Sequence, residues 1–283
     1  MRAGVPPLLI DPENGAEVAR LINQHQLLTT YLGGLFPRDV DPVHISRVLD
    51  LACGPAGWVL DVAFEYQDME VIGVDNCQPT LNYARSLARV QGLDNTSFVR
   101  MDIRQPLNFD ENSFDFVRAS LLVAVLSPEE WSRMLAECKR VLRPGGVLWL
   151  IETQWPLTNS AAVEHLGRIV TEALLQVGRS YTSDRQHSCT IEALVPLLRE
   201  AGLAQVRSQT REVLLTSTGL IGLHPIIELL RITLYLLEPS LIEREVTTRA
   251  EFEALIRQME LESISQDFSG TLSIGEVWGK KAG

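Results

Sequence analysis

The run Val48-Leu49-Asp50-Leu51-Ala52-Cys53-Gly54-Pro55-Ala56-Gly57 constrains the fold of this chain more than any other stretch. An apolar segment ends near an acid, and a turn of small residues and proline leads into the apolar helix pattern Trp58 to Tyr66. A second apolar segment, Glu70 to Asp75, closes on a carboxylate 21 positions after Gly54. Strand, small-residue turn, helix, strand and acidic tip together form the front half of a nucleotide-binding α/β sheet. Small side chains in the turn let the backbone approach a ligand. A carboxylate at the second tip can accept hydrogen bonds from ribose hydroxyls.

The rhythm continues downstream. Expected strands are Ile45 to Leu51, Glu70 to Asp75, Ser97 to Met101, Phe114 to Ala119 and Val147 to Glu152. Between them lie helices over Trp58 to Tyr66, Pro79 to Gln91 and Pro128 to Leu142, the last stopped by Pro144-Gly145-Gly146. Strands alternating with helices at these lengths pair in parallel through right-handed crossovers. Upstream, Asp11-Pro12 reads as a helix start, with Val18, Leu21, Ile22 and Leu28 at helical spacing up to Gly33-Gly34. After Glu152 the helical segment Asn159 to Val177, the helix Thr190 to Glu200 and a strand over Ala204 to Leu215 follow. A second helical insertion spans Leu220 to Glu262, and Gly270 to Lys280 closes as the last strand.

The expectation is therefore a doubly wound α/β fold. Its mostly parallel seven-stranded sheet has an antiparallel last strand and carries helical cap insertions. Residues 1–42 form an N-terminal helical cap segment, 43–157 the Rossmann-like core, and 158–189 a helical insertion. Residues 190–216 continue the core, 217–268 form the cap insertion, and 269–283 the last strand and tail. Insertions after the fifth and sixth strands, together with the N-terminal helices, fall over the carboxyl ends of the strands, where open α/β sheets bind ligands.

Composition narrows the partners. A formal net charge of −11, with no cluster of Lys and Arg, disfavours nucleic acid. The four cysteines, Cys53, Cys77, Cys138 and Cys189, have no paired spacing, which fits reduced thiols and a cytoplasmic location and speaks against zinc. Met1 to Pro7 is not followed by the apolar run of a signal peptide. The most apolar later stretch, Leu220 to Leu237, is broken by His224, Pro225, Glu228 and Arg231, so no membrane span is expected. The five histidines show no metal-ligand spacing. His187, in the polar loop Ser180 to Ser188, is the one general-base candidate, with a plain surface histidine as the alternative.

The turn departs from the dinucleotide fingerprint G-x-G-x-x-G, because Ala52 occupies the first glycine position, with Gly54 and Gly57 at the second and third. Asp50 discriminates further. A carboxylate there repels a pyrophosphate but suits a cofactor with a cationic amino-acid moiety. With these residues, Asp50 to Gly57 resembles the first motif of class I S-adenosylmethionine-dependent methyltransferases. Gly73-Val74-Asp75 resembles the second motif, Arg100-Met101-Asp102-Ile103 the segment after the third strand, and Arg140 to Gly146 the turn before the fifth. The four occur in family order between Val48 and Ile151. The resemblance implies S-adenosylmethionine as cofactor, with Asp75 at the ribose and Asp102 at the adenine amino group. The implied set of cofactor-binding residues is Asp50, Ala52, Gly54, Gly57, Asp75, Asn76, Asp102, Ile103, Ala119 and Ser120. Three of these have structural alternatives: Asp75 as a helix cap, Asp102 as a turn cap before Pro106, and Ser120 as the cap of the next turn. Ala52 and Ala56 stand where the motif commonly has glycine, which stiffens the loop.

In-line methyl transfer needs alignment and exclusion of water more than acid–base groups. The expected acceptor is a small, apolar molecule. The apolar cap segment around Leu220 to Leu236 reads as cap core or a homodimer face, with a substrate pocket as the alternative. The chain runs Arg118-Ala119-Ser120-Leu121 after the fourth strand, without the Asn/Asp-Pro-Pro-aromatic motif of amino-methylating enzymes. Two other functions stay open at this point, an NAD(P)-dependent oxidoreductase and a non-catalytic cofactor-binding scaffold.

Overall fold

A computed structural model describes residues 10–180, 191–216 and 223–283. Its centre is an eight-stranded sheet. β1 (Arg47–Leu51), β2 (Glu70–Asp75), β3 (Thr96–Arg100), β4 (Phe114–Ser120) and β5 (Leu142–Thr153) pair in parallel in the order β3-β2-β1-β4-β5. β8 (Ser269–Lys281) lies antiparallel between β5 and β7 (Leu203–Thr216). The antiparallel last strand is as expected. The eighth strand is β6 (Leu157–Thr158), paired with the start of β8 and too short to show alternation in the sequence.

Both faces of the sheet are covered, which is why β1 and β4 read as apolar runs rather than alternating patterns. On one face α1 (Gly15–Leu32), α2 (Gly57–Glu65) and α3 (Gln78–Gln91) supply Leu28, Trp58, Val59 and Leu81 against Phe116, Trp149 and Ile151. On the other, α4 (Pro128–Val141) and α6 (Ile191–Glu200) pack Trp131, Met134, Leu194 and Leu198 on Leu49, Leu51 and Val117. α4 begins with a capping box, Ser127 and Glu130 satisfying each other's backbone N–H, and with Pro128 at the first turn.

A third apolar cluster belongs to the helices added to this frame. α5 (Ala161–Gln176), α7 (Leu223–Glu243) and α8 (Arg249–Ser263) bury Leu166, Leu234 and Phe252 among themselves. α7 also sends Ile226 and Ile227 into the sheet-facing core beside Leu28. Among the described residues no helix is long and apolar enough to cross a membrane.

The start of α1 differs from the expectation. The helix begins at Gly15, and Asn14 is its N-cap, its side chain accepting from Ala16 N at 3.0 Å. Asp11 instead closes the preceding turn, accepting from Glu13 N through its side chain and Asn14 N through its carbonyl. An Asp-Pro pair suits both a helix start and a turn, and the asparagine three residues on takes the cap. The other end is as read, with Gly33 in the left-handed region at φ 71°.

Candidate active site

At the carboxyl ends of β1, β2 and β4 a cavity of about 470 Å³ opens beneath α1 and α7. Its floor is the turn after β1. Cys53 N bonds the carbonyl of Val74, and the turn carries three successive left-handed residues on alternate positions: Ala52 at φ 53°, Gly54 at 54° and Ala56 at 64°. Glycine adopts that region freely, whereas alanine pays about 1 kcal/mol for it. The turn therefore keeps the glycine-type backbone even where the sequence has alanine.

Asp75 ties the two strand tips together. Its Oδ2 accepts from Gly54 N at 2.9 Å and its Oδ1 from Cys77 N at 2.8 Å. Each carboxylate oxygen has a second lone pair, so both remain able to accept hydroxyls. Burial pushes the Asp75 carboxyl above the usual carboxylate range, and the N–H groups of Cys77 and Gly54 oppose that shift. The helix-cap alternative does not hold, since Cys77 is the N-cap residue of α3.

Asp50 and Arg118 sit side by side across the β1–β4 register, with Arg118 Nη1 donating to Asp50 Oδ1 at 2.8 Å. Both are buried. Burial raises the Asp50 carboxyl, and the Arg118 guanidinium pulls it back. A second ion pair lies in the wall above, where Arg20 holds Glu17 with two bonds of 2.6 and 2.8 Å. Asp75 thus keeps backbone donors only, while the other two cavity carboxylates are neutralised by arginine. That balance suits a ligand with one net positive charge.

α1 presses directly on the turn. A Cβ on Gly57 would stand 2.2 Å from His25 Cδ2, so only glycine lets the ring lie there. His25 Nε2 is held 2.7 Å from Asp61 Oδ2 of α2. Leu21, Leu28 and Tyr31 continue the wall, and α5 and α7 complete it with Val170, Leu174, Ile226, Leu230 and Thr233. The wall is apolar apart from a few groups. The Tyr31 hydroxyl is one of them, buried without a hydrogen-bond partner.

Of the residues expected at the cofactor, Asp50, Ala52, Gly54, Gly57, Asp75, Asn76 and Ser120 line the cavity. Asp102, Ile103 and Ala119 are not among its lining residues. Asp102 accepts from Arg104 N at 3.0 Å and takes two bonds of 2.8 Å from the Arg104 guanidinium, the geometry of a turn cap. Burial opposes its ionisation, but the Arg104 bonds hold its carboxyl below the usual range. Ile103 and Ala119 pack into the opposite core. Ser120 caps nothing, since no described protein group hydrogen-bonds its hydroxyl, and Leu121 beyond it turns at φ 58°. His187 lies outside the described residues, as do Cys189 and the Leu220–Ile221 end of the cap. The other cysteines are free thiols, and no group of three or more potential metal ligands occurs among the described residues.

Sequence reasoning placed the N-terminal helix over the carboxyl ends of the strands but named none of the residues it brings to the cavity wall. The Glu17/Arg20 spacing of i, i+3 was a usable signal for an ion pair, but nothing local places it over a cavity. Glu152 was missed as well. At the end of β5 it accepts from Leu122 N at 2.6 Å and fixes the segment after β4 that forms part of the lining. Its other oxygen is buried and unpartnered, and burial pushes its carboxyl up to about 8.

Residues 48–146 match a family model described as a methyltransferase domain. A demethylmenaquinone methyltransferase of Lactiplantibacillus plantarum is 29% identical over 58% of this chain and 73% of its own. A sterol 24-C-methyltransferase of Aspergillus fumigatus is 33% identical over 40% of this chain and 29% of its own, so the chain spans only part of that relative. Among solved structures, a Haemonchus contortus phosphoethanolamine N-methyltransferase superposes with a TM-score of 0.54 at 16% identity, covering 95% of this chain and 58% of the other. Residues 48–146 thus match a methyltransferase domain, in line with the class I S-adenosylmethionine-dependent motifs between Asp50 and Gly146. S-adenosylmethionine is the cofactor of that class, and the floor residues fit it: a close-approach turn, an acid with free lone pairs and a balance of one negative charge.

Proposed function

We propose that this protein transfers a methyl group from S-adenosylmethionine to a small, apolar acceptor held beneath the helical cap. The observation that carries the reading is one continuous cavity with two unlike ends. Its floor is polar backbone and carboxylate at Gly54 and Asp75, and its roof is the apolar face of α1, α5 and α7.

When bound, the cofactor supplies a methyl group on a sulfonium. In this reading Asp75 and Asn76 take the ribose, and the left-handed turn Ala52 to Ala56 gives the backbone approach. Ser120 closes the floor on the acceptor side. Asp102, Ile103 and Ala119 shape the floor from behind, because Asp102 is held by Arg104 and the other two face the opposite core. Leu230, Thr233 and Leu174 exclude water and align the acceptor, which supplies most of what an in-line displacement needs. The apolar roof and the quinone and sterol methyltransferases among the relatives support a flat, apolar acceptor.

The test is methyl transfer from labelled S-adenosylmethionine to a panel of quinols, phenols, thiols, sterols and polar amines. Transfer to an apolar member is the expected outcome. Transfer confined to polar amines contradicts the acceptor class, and transfer to none supports a scaffold role.

A further inference from the structure

The roof of the cavity carries one charged feature that methyl transfer itself leaves unused, the Glu17–Arg20 pair of α1. The Glu17 and Arg20 side chains are only 9% and 8% exposed, and both line the cavity. Burying two charges is costly, and an ion pair that ties separate parts of a fold together has a structural reason to be there. This pair ties nothing together, because its members stand three residues apart on one helix and Arg20 bonds no described group beyond Glu17. The positive end of the helix dipole favours Glu17 in the first turn but gives a cation no help.

The arginine is aimed. Its Nε donates to Glu17 Oε2 at 2.6 Å and its Nη2 to Oε1 at 2.8 Å, a two-point grip that fixes the plane of the guanidinium. Nη1 has no protein acceptor among the described residues and is not sealed in, so it opens onto the cavity. One turn further along α1, Gln24 lines the same cavity, and no described group hydrogen-bonds its amide.

Helix geometry turns these two groups away from the floor. Leu21 rests over Gly54, 3.5 Å from where a Cβ of that glycine would stand, and His25 rests over Gly57. Arg20 and Gln24 each precede one of those residues, and one residue is about 100° of rotation around the helix axis. They therefore open into the space beside the turn rather than onto it. Glu17 cancels the charge of Arg20, so the seat offers directed N–H groups without net charge. That combination favours a neutral oxygen over a carboxylate, which Glu17 repels. The Gln24 amide both donates and accepts, so it serves a hydroxyl as well as a carbonyl.

We propose that Arg20 Nη1 and the Gln24 amide bind a neutral oxygen, hydroxyl or carbonyl, on the otherwise apolar acceptor, with Glu17 as the positioning residue that aims Arg20. The proposal rests on the methyltransferase reading and narrows its acceptor to an apolar body with one polar handle. Holding that handle fixes which atom of the acceptor faces the methyl group, which is the alignment an in-line displacement needs.

The test is fluorescence titration of the full chain, saturated with S-adenosylhomocysteine, with 2-naphthol, naphthalene and 2-naphthoate as probes. The wild type is expected to bind 2-naphthol about tenfold or more tighter than naphthalene, the worth of a hydrogen bond to a charged donor. In Arg20→Met that preference disappears, while naphthalene and S-adenosylhomocysteine bind as before. Since Arg20→Met leaves Glu17 as a lone buried charge, Glu17→Gln combined with Arg20→Met provides a neutral background that must show the same collapse. Gln24→Leu removes part of the preference. An unchanged preference in Arg20→Met overturns the proposal, as does a wild type that does not distinguish naphthol from naphthalene. Tighter binding of 2-naphthoate than of 2-naphthol overturns the neutral-oxygen assignment. Equal loss of naphthol and naphthalene in a folded variant assigns the pair to packing, and loss of S-adenosylhomocysteine assigns it to the cofactor; either overturns the proposal while the methyltransferase reading stands. If the wild type does not bind S-adenosylhomocysteine at all, that reading itself fails and takes this proposal with it.

Discussion

The floor and the roof of the cavity are built on different physical terms. The floor, from β1, β2 and the turn between Leu51 and Gly57, is specified atom by atom. Two backbone N–H groups converge on Asp75, and three left-handed residues set the path of the turn. The roof, from α1, α5 and α7, is specified by volume. Its Leu, Ile and Val side chains fill a face and also hold the helices together. A directional floor tolerates almost no substitution, whereas an apolar roof tolerates exchange of one hydrophobe for another. The difference separates a part that fits one ligand from a part that can be retuned to many.

The contrast predicts where damage is greatest. Gly57→Val drives a side chain into the His25 ring where α1 rests on the turn, and cofactor binding should fall by more than about 100-fold. Calorimetry with S-adenosylhomocysteine measures it. Shrinking the ring with His25→Ala should restore part of the loss in Gly57→Ala, and no restoration would show that the turn alone is responsible. Gly54→Val, at φ 54° and bonded to Asp75, should likewise abolish binding with the fold retained by circular dichroism.

Next in size, Asp75→Ala should weaken cofactor binding by about 1.5–3 kcal/mol, since hydrogen bonds to a charged acceptor are lost. An unchanged dissociation constant would remove Asp75 from the site. Thr233→Trp in the roof should behave in the opposite way, raising the acceptor KM several-fold with the cofactor constant unmoved. Equal effects on both constants would erase the distinction between roof and floor.

Glu152 gives a pH signature of the floor. Its folded carboxyl is raised to about 8, so the native state holds a proton that the unfolded chain releases near the ordinary Glu value. Stability from this group is therefore present at low pH and declines as pH rises toward 8, by at most about 1.4 kcal/mol per unit. Glu152→Gln keeps an acceptor for Leu122 N and should flatten that part of the melting-temperature profile between pH 5 and 8. Identical slopes in wild type and variant would contradict the assignment. The smallest effect belongs to the alanines of the turn. Ala52→Gly and Ala56→Gly should each relieve backbone strain and stabilise by up to about 1 kcal/mol, less the entropy of an added glycine.

The same division explains what could be read from the sequence. Asp50, the small-residue turn and Asp75 are close in sequence, because a strand–turn–helix–strand unit brings its two tips together by local geometry. Hence the parallel pairing of the first five strands, the antiparallel β8 and seven of the lining residues were legible. The Asp50–Arg118 pair depends on β4 settling beside β1 in one register, 68 residues apart, and no local pattern encodes that. His25 over Gly57 depends on how α1 folds back, and Asn14 moved even its start. Asp102 illustrates a motif position with two chemistries, where the neighbouring Arg104 engages the carboxylate. Helices α5, α7 and α8 were expected from apolar spacing, but their mutual packing is a matter of volume and leaves no short signature.

The most direct test of the account is titration calorimetry of the full chain with S-adenosylmethionine, S-adenosylhomocysteine and NAD in parallel. The account predicts micromolar binding of the first two and none of NAD, with the binding lost in Gly54→Val. Binding of NAD alone would contradict it and make the roof the substrate domain of an oxidoreductase.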